Sequence, residues 1–518
     1  MNEKYTEVCN KLKTIFYILS TGLFMWLILN IIFNNCYVEP YSLGGIFSIK
    51  RFYNPFIIIF FVVALFILIN KCICCDFFGT KITTYILMTL VIMIQIYVFR
   101  AFIIDLSGEI FADLGCFVDA SRQIMDGETY QEIYFFNTPY QVGPLYEIIF
   151  WNKALYYIGL NSFEVNCALL STISIDLGIL FSALSVKKMW GRNELVNVYL
   201  LIVLVFTPYY TFLTYFYTDS LSLPFIIIGL FEYITIINGN VTTINKFILQ
   251  IAIMSMAFAF GTFIKATVAI ALVAVIVHSL FLKKIKKAVI IILMFLIVFS
   301  ALKKSVYSYV DSNGWFNYKI TDEEGYPKEF WILMGSNETR LGAYPPEDVY
   351  AITSLESRKE QKNEALRLYC ERVKQYGCAE YLKFITLKDN WMWGDGTYYG
   401  NIIQAIFPHK NNSWLLNQIS DGNGGSLVYK YWSQIIHVLL LCSMVFSLIC
   451  NKNKEINIFF VVNLSLFGLL IFLSFWEARP RYIFNYSSFI TIAAIDGFDN
   501  FRGNNFLRKI KKGEECNG

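Results

Sequence analysis

An acidic stretch over residues 103–146 holds the side chains in this chain best suited to chemistry. From position 105 to 132 its only basic residue is Arg122, and its carboxylates are Asp105, Glu109, Asp113, Asp119, Asp126, Glu128 and Glu132. Asp105, Glu109 and Asp113 are spaced by four, so on a helix they would share one face, where like charges raise one another's pKa. The pattern predicts a general base or a divalent-cation site, and the alternative is a solvated acidic loop.

Three further polar features lie at the ends of apolar runs. They are a turn with Tyr217 and Asp219, the lone Lys265 in GTFIKATVAI, and the segment EARPRY with Arg479, Arg481 and Tyr482. Each one alone is also typical of an interfacial anchor with its polar tip in water. Together with the acidic stretch, they predict two carboxylates, one lysine and two arginines at one membrane face. Such a site could combine acid–base chemistry with binding of an anionic headgroup.

The segment 303–431 is too polar to enter a bilayer and is long enough for a small domain. Thr353 and Glu356 match a capping box, which predicts the start of an amphipathic helix over residues 354–383.

An aromatic sequence follows this helix, KDNWMWGDGTYYGN, with Trp391 and Trp393 beside Asp395. Aromatic rings beside carboxylates are suited to stacking on sugars and hydrogen bonding to them. The alternative is an aromatic belt at the membrane interface, which uses the same residue types.

Composition indicates the protein class that must position these residues. Of 518 residues, 56% are hydrophobic and 16% are charged, which is too little polar surface for one soluble globule of this size. The net charge of +4 comes from short basic clusters between apolar runs, a pattern that argues against a nucleic-acid partner. The sequence therefore predicts a polytopic membrane protein.

About twelve apolar runs are predicted to cross the bilayer. They cover residues 14–34, 55–69, 82–104, 163–186, 195–216, 220–237, 247–264, 266–282, 288–302, 432–450, 457–476 and 482–497. With both termini in the cytoplasm, the flanking basic clusters lie inside, apart from Lys50 with Arg51 and Lys303 with Lys304. The shorter stretch 145–160 is predicted to lie in the interface, and crossing is its alternative.

These runs predict an all-α fold in three parts. Residues 1–302 form a transmembrane region whose first extracytoplasmic loop is the acidic stretch. Residues 303–431 form an α-rich extracytoplasmic domain. Residues 432–518 form the last transmembrane helices and a basic cytoplasmic tail. The functional site is therefore expected at the extracytoplasmic face of a cell membrane.

Metal and nucleotide motifs are sparse. The CxxC spacing of Cys72 and Cys75 has no second pair to complete a zinc site, and the three histidines are scattered, so no metal site built from cysteine or histidine is predicted. The sequence has no P-loop, no G-x-S-x-G elbow and no convincing internal repeat. These observations disfavour a primary pump, a serine hydrolase and an inverted-repeat transporter.

The order of motifs resembles the GT-C membrane glycosyltransferases. It is similar in particular to the bacterial proteins related to protein O-mannosyltransferases and lipid A aminoarabinose transferases. The resemblance rests on ADLGCFVDASRQIMDG, YFFNTPYQVGPLYE, YTDSLSLPF, GTFIKAT, GYPKEFWILMG with WGDGTY, and EARPRY. Gln141, Ala266 and the absence of an Asp-Glu pair in the first loop depart from the family pattern, and the last of these puts a protein acceptor in doubt.

The resemblance implies a GT-C-like helical bundle that transfers a sugar from a polyprenyl-phosphate carrier, with inversion, to an extracytoplasmic acceptor. Asp113 matches the catalytic carboxylate and is the predicted general base. Lys265, Arg479 and Arg481 are the predicted phosphate partners. The other residues predicted to contact the donor are Asp119, Tyr140, Gln141, Tyr217, Asp219, Trp393, Asp395 and Tyr482.

Two other functions remain as alternatives. A transporter or flippase of lipid-linked or anionic substrates would use the same carboxylates for cations, but it should place ionisable residues near the middle of its spans. A polysaccharide polymerase or ligase would also use polyprenyl-linked sugars, and only a donor assay separates it from a transferase.

Overall fold

The computed structural model describes residues 2–34, 37–38, 49–50, 52–110, 112–238, 243–323, 325–420 and 424–503. Regular structure in these ranges is helical, apart from strands β1 (Tyr37–Val38) and β2 (Ile49–Lys50), which pair antiparallel. The predicted basic tail and Arg51 lie outside the described residues.

Twenty-two α-helices follow one another along the described chain. The first fourteen are α1 (Asn2–Phe33), α2 (Pro55–Ile73), α3 (Lys81–Phe102), α4 (Ala112–Met125), α5 (Tyr134–Asn137), α6 (Val142–Tyr157), α7 (Phe163–Trp190), α8 (Asn193–Val205), α9 (Pro208–Thr211), α10 (Thr218–Leu221), α11 (Leu223–Ile237), α12 (Ile244–Ile264), α13 (Val268–Phe281) and α14 (Ile285–Ser312). The others are α15 (Lys328–Gly335), α16 (Pro346–Thr353), α17 (Arg358–Gly394), α18 (Gly400–Ile406), α19 (Trp414–Ile419), α20 (Gly424–Asn451), α21 (Ile458–Phe475) and α22 (Ser487–Gly503). We call the chain between α14 and α20 the polar segment.

Nine helical stretches in the described ranges are long and apolar enough to cross a bilayer. They are Tyr5–Phe33, Pro55–Ile73, Lys81–Phe102, Phe163–Trp190, Thr218–Ile237, Ile244–Ile264, Ile285–Ser312, Gly424–Asn451 and Ile458–Phe475. The other three predicted spans form shorter helices, α8 with 13 residues, α13 with 14 and α22 with 17. The all-α polytopic architecture is confirmed, with nine full-length helices where the sequence predicted about twelve.

The helix predicted over residues 195–216 stops early, at Val205. Phe206 is extended, and Pro208 opens the separate helix α9. In one continuous helix the Pro208 ring would clash with the carbonyl of Leu204 and leave it without a hydrogen bond. The broken chain carries the turn with Tyr217 to the end of the bundle, where α10 begins.

The shortest of the three C-terminal membrane helices, α22, occupies the centre of the bundle. It packs along α20 and also contacts α2, α7, α8 and α21. Its side chains from Phe489 to Ile495 are fully buried on every side of the helix. A helix that is apolar all round is stable only when other helices surround it, so α22 forms the core against which the other helices pack.

The helix predicted in the polar segment begins later than expected. Thr353 is the last residue of α16, and the capping box is made by Ser357 and Glu360 at the start of α17. The predicted box at Thr353 and Glu356 is therefore wrong by four residues. The reason is that Pro346 starts a separate short helix that ends at Thr353.

The predicted shared face of Asp105, Glu109 and Asp113 is also wrong, because α4 begins only at Ala112. Asp105 lies in the preceding loop, where its carboxylate accepts hydrogen bonds from Ser107 N at 3.1 Å and Ser107 Oγ at 2.5 Å. These bonds lower the pKa of Asp105. Such an Asx turn competes with a helix and separates Asp105 from Asp113.

Candidate functional site

A buried carboxylate with two cationic partners forms the centre of the candidate site. Asp219 is fully buried at the start of α10. One of its oxygens pairs with Lys265 Nζ, and the other lies 3.2 Å from Arg481 Nη1. Since an isolated buried charge is strongly unfavourable, the two cations offset the cost of burying this carboxylate.

A second carboxylate, Asp113, lies on the other side of Arg481. Its Oδ2 is 3.8 Å from Arg481 Nη2 and accepts a 2.8 Å hydrogen bond from the Tyr217 hydroxyl. Gln141 Nε2 in turn donates to the Tyr217 oxygen at 3.0 Å. The Asp113 side chain is 43% exposed, whereas that of Asp219 is 0% exposed. Asp113 is therefore the carboxylate of this pair that a substrate can reach.

Aromatic rings surround the two cations. The Arg481 guanidinium carbon lies 4.6 Å from the centre of the Tyr217 ring and 5.4 Å from that of Tyr482. Arg481 Nη1 also donates to the Tyr215 hydroxyl at 2.9 Å, and Lys265 Nζ lies 4.9 Å from the Tyr482 ring centre. Cation–π contacts and the hydrogen bond to Tyr215 hold Arg481 in one orientation between Asp113 and Asp219.

Glu477 and Arg479 border this cluster. Tyr482 donates its hydroxyl to Glu477 Oε2 at 2.9 Å, and Arg479 Nε lies 3.8 Å from Glu477 Oε1. Burial raises the pKa of Glu477, and the positive charges of Arg479 and Arg481 oppose that rise.

Interrupted helices bring these residues to one end of the bundle. Lys265 is the extended residue that ends α12, and Arg481 lies in a 3-10 helix, Pro480–Tyr486, between α21 and α22. Ala112, directly before Asp113, has a positive φ of 58°. Such a conformation is strained for a residue with a Cβ and is enriched at functional sites.

A buried lysine of the polar segment fixes the chain that carries both arginines. Lys388 is fully buried, and its Nζ donates to the carbonyls of Gly335 at 2.7 Å, Ser474 at 3.0 Å and Trp476 at 2.6 Å. Two of these carbonyls belong to the C-terminal end of α21, where a cation is also favoured by the helix dipole. The polar segment therefore determines where the residues after Trp476 lie.

A row of aromatic rings leads from this region to the end of α21. Tyr140 is 45% exposed, and its ring centre is 6.0 Å from that of Trp331. Trp331 stacks on Trp476 at 6.4 Å, and Trp476 stacks on Phe472 at 5.0 Å. Phe472 lies in a helix long enough to cross the bilayer, so the row joins the membrane-spanning part to the site.

The structure brings together seven of the predicted residues through direct contacts, and two more border them. The seven are Asp113, Gln141, Tyr217, Asp219, Lys265, Arg481 and Tyr482, and the two are Tyr140 and Arg479. Their predicted roles in donor binding remain predictions.

Three other predicted site residues lie apart from this cluster. Trp393 is 0% exposed and packs edge-on against Phe24, which leaves no surface for a sugar ring. Asp395 accepts bonds from Thr397 N, Thr397 Oγ1 and Tyr399 N at 2.6–2.9 Å and so shapes its own turn. Asp119 lies exposed on another face of α4.

Glu477 and Tyr344 are both close enough to Asp113 to interact with it electrostatically, although neither was predicted as a site residue. Glu477 was visible in EARPRY, but its sequence gave no sign that it pairs with Tyr482. Tyr344 is 46% exposed, and burial together with the negative charges of Asp113 and Glu477 raises its pKa. No local pattern points to Tyr344, because it comes from a distant part of the chain.

The described residues contain no group of three or more His, Cys, Asp or Glu side chains that could hold a metal ion. Within the site, both oxygens of Asp219 are already paired with cationic side chains. The cluster carries three cations, Lys265, Arg479 and Arg481, and Asp113 is its most exposed carboxylate. This arrangement can hold an anionic group beside a carboxylate that accepts a proton.

Comparison with known proteins gives a family and shows a distant likeness to solved structures. No curated protein matches the chain. Archaeal oligosaccharyltransferase AglB from Archaeoglobus fulgidus, solved in complex with an inhibitory peptide and a dolichol-phosphate, is similar with a TM-score of 0.42 and 10% identity. That likeness covers 84% of this chain, which spans about half of the archaeal protein, 52%. A family profile described as "Conserved hypothetical integral membrane protein" matches residues 5–498, and the chain therefore belongs to that family.

Proposed function

We propose that this protein is a membrane glycosyltransferase that moves a sugar from a polyprenyl-phosphate carrier to an extracytoplasmic acceptor. The observation that carries the proposal is the exposed Asp113 beside Arg481, at the end of a membrane-spanning bundle. Glycosyl transfer from a lipid phosphate needs a base for the acceptor, cations for the leaving phosphate and a site at the membrane boundary. The exposed Asp113, the three cations and their position at the ends of spans support this proposal.

In the proposed reaction the acceptor hydroxyl oxygen attacks the anomeric carbon of the donor sugar. The proton of that hydroxyl moves to the Asp113 carboxylate as the new carbon–oxygen bond forms. The bond between the anomeric carbon and the phosphate oxygen breaks, and its electron pair leaves with the phosphate. Direct displacement by the acceptor inverts the anomeric carbon, since no covalent sugar–enzyme intermediate is formed.

Three cations are suited to the leaving phosphate. Arg481 presents a guanidinium held by Tyr215 and Asp219, and Lys265 and Arg479 add charge from either side. Because these groups are already oriented, little reorganisation is needed as negative charge develops. Arg481 also touches Asp113, so departure of the phosphate and uptake of the proton occur at adjacent groups.

Tyr217 is proposed to orient the base. Its hydroxyl hydrogen points at Asp113 Oδ2, and the bond from Gln141 to the Tyr217 oxygen fixes that direction. One lone pair of Asp113 is thereby engaged, and the remaining carboxylate surface faces the acceptor.

The aromatic row is proposed to hold the isoprenoid chain of the donor. It runs from Tyr140 through Trp331 and Trp476 to Phe472, between the site and the membrane helix α21. Apolar isoprene units pack well on such rings, and the row ends next to the chain that carries Arg479 and Arg481.

A transporter or flippase is the alternative that the geometry disfavours. Asp219 lies at the start of the span Thr218–Ile237, Lys265 directly follows the span Ile244–Ile264, and Arg481 comes after the span Ile458–Phe475. The paired charges of the cluster are thus at the ends of spans, whereas a transporter places them near the midplane. The deciding experiment incubates purified protein with radiolabelled polyprenyl-phosphate sugars and cell-envelope acceptors. Label in a product other than the carrier supports transfer. Movement of intact donor across a proteoliposome membrane, with no product, would contradict it.

A further inference from the structure

A carboxylate lies on the outer surface of the bundle, halfway along a membrane-spanning helix. Asp176 is at the centre of α7, Phe163–Trp190, and its side chain is exposed. The helix is long and apolar enough to cross the bilayer, so this surface faces acyl chains. Ionisable residues within membrane spans are rare and almost always face protein or water. At this position the Asp176 carboxylate therefore requires a polar or charged partner.

The surroundings of Asp176 satisfy only part of its hydrogen-bonding capacity. Gln95 on α3, itself 5% exposed, donates Nε2 to Asp176 Oδ1 at 2.7 Å. No other hydrogen bond to this carboxylate comes from the described residues. Tyr210 is 7% exposed and near enough to interact electrostatically with Asp176, yet its hydroxyl has no hydrogen-bond partner in the described chain. A carboxylate and a phenol are thus both left with unused capacity.

The apolar side chains around Asp176 form a helix-packing seam. They are Ile173, Leu177, Leu180 and Leu184, exposed by 39%, 37%, 45% and 40%. Their spacing of four, three and four residues is that of a coiled-coil seam, and Asp176 lies beside it. Helices in membranes commonly pack in this left-handed geometry, and polar side chains beside the seam hydrogen-bond across it.

We propose that this face of α7 binds a transmembrane helix of another membrane protein, and that the partner helix presents a lysine or arginine to Asp176. Charge complementarity argues for this occupant, because acyl chains offer no donor to a carboxylate. A second copy of the chain related by two-fold symmetry would bring two Asp176 carboxylates together, which is repulsive. The proposal does not depend on the transferase activity.

The test uses full-length protein in proteoliposomes and synthetic polyleucine helices of about 20 residues, long enough to span. The peptides carry lysine, leucine or glutamate at the centre, and energy transfer between labels reports association. We expect the lysine peptide to associate about threefold or more tightly than the leucine peptide, the size of an interhelical hydrogen bond in membranes. The glutamate peptide should show no such gain.

Two variants make the test specific. Asp176→Leu should remove the preference for the lysine peptide and should fold, since it places an apolar side chain on an apolar surface. Asp176→Asn keeps the size of the side chain, removes its charge and should give the same loss, which guards against a folding defect. Equal association of the lysine and leucine peptides with the wild-type protein would overturn the proposal. A preference for the lysine peptide that survives in both variants would also overturn it. Self-association of the protein that Asp176→Leu abolishes and Asp176→Asn does not would overturn it as well.

Discussion

Arg481 is the residue whose loss should damage both the stability and the activity of this protein. It contacts Asp219 at 3.2 Å, Tyr215 at 2.9 Å and Asp113 at 3.8 Å, and its side chain is 12% exposed. In Arg481→Met the buried Asp219 keeps Lys265 and loses its other cation. A buried charge with no partner left costs ~3–5 kcal/mol, so with one partner remaining the loss should be on the order of 2 kcal/mol.

The effect of this substitution on activity should be larger. Removing one preorganised donor to a developing charge costs about 2–4 kcal/mol of transition-state stabilisation. That corresponds to a fall in turnover of about 30- to 1000-fold. Arg481→Lys should restore charge but only part of the rate, because lysine cannot bridge Asp113 and Asp219 as a planar guanidinium does.

The assay pairs sugar transfer from a polyprenyl-phosphate donor with thermal unfolding in the same detergent. Arg367→Met is a matched control, since Arg367 pairs with Glu364 and Glu371 on the exposed surface of α17. That variant should behave as the wild type in both measurements. Wild-type turnover by a folded Arg481→Met protein would refute the assignment of Arg481 to the phosphate.

Three other predictions follow from single contacts or from topology. Tyr217→Phe removes the donor to Asp113, keeps the ring beside Arg481 and should slow steady-state transfer about tenfold or more, since a hydrogen bond to a charged group is worth ~1.5–3 kcal/mol. Lys388→Met leaves three buried carbonyls without their donor and should lower the thermal midpoint together with activity, because each unsatisfied buried group costs about 1–3 kcal/mol; an unchanged midpoint would exclude Lys388 as an anchor. In intact cells a membrane-impermeant maleimide should label Cys370 and Cys378, both exposed on α17. Labelling of these two cysteines only after permeabilisation would show that α17 lies on the cytoplasmic side, opposite to the predicted topology.

Much of the fold could be predicted from the sequence, because hydropathy and helix length follow from local composition. Nine of the twelve predicted spans are helices long enough to cross the bilayer, whereas α8, α13 and α22 are shorter, and the helix predicted over residues 195–216 ends at Val205. The start of α4 could not be predicted from the acid spacing. Side-chain bonds from Ser107 stabilise a turn at Asp105, and they compete with the helix that charge periodicity suggested.

The sequence predicted which residues take part in the candidate site better than it predicted which of them pair with one another. Motifs scattered over 370 positions, from Asp113 to Tyr482, converge because broken helices end at one place. Which carboxylate is buried with the cations and which stays exposed depends on packing between distant segments. Packing between distant segments also decides the place of Trp393, which looked suited to sugar stacking but fills the core beside Phe24.

The measurement that tests the account most directly compares turnover of Asp113→Asn and Asp119→Asn with one polyprenyl-phosphate sugar donor. Asparagine keeps the size of the side chain but cannot take the acceptor proton, so Asp113→Asn should lose about two to four orders of magnitude while still binding donor. Asp119 lies six residues further on another face of α4, and Asp119→Asn should stay near the wild-type rate. Full activity in Asp113→Asn, or a loss confined to Asp119→Asn, would contradict Asp113 as the base.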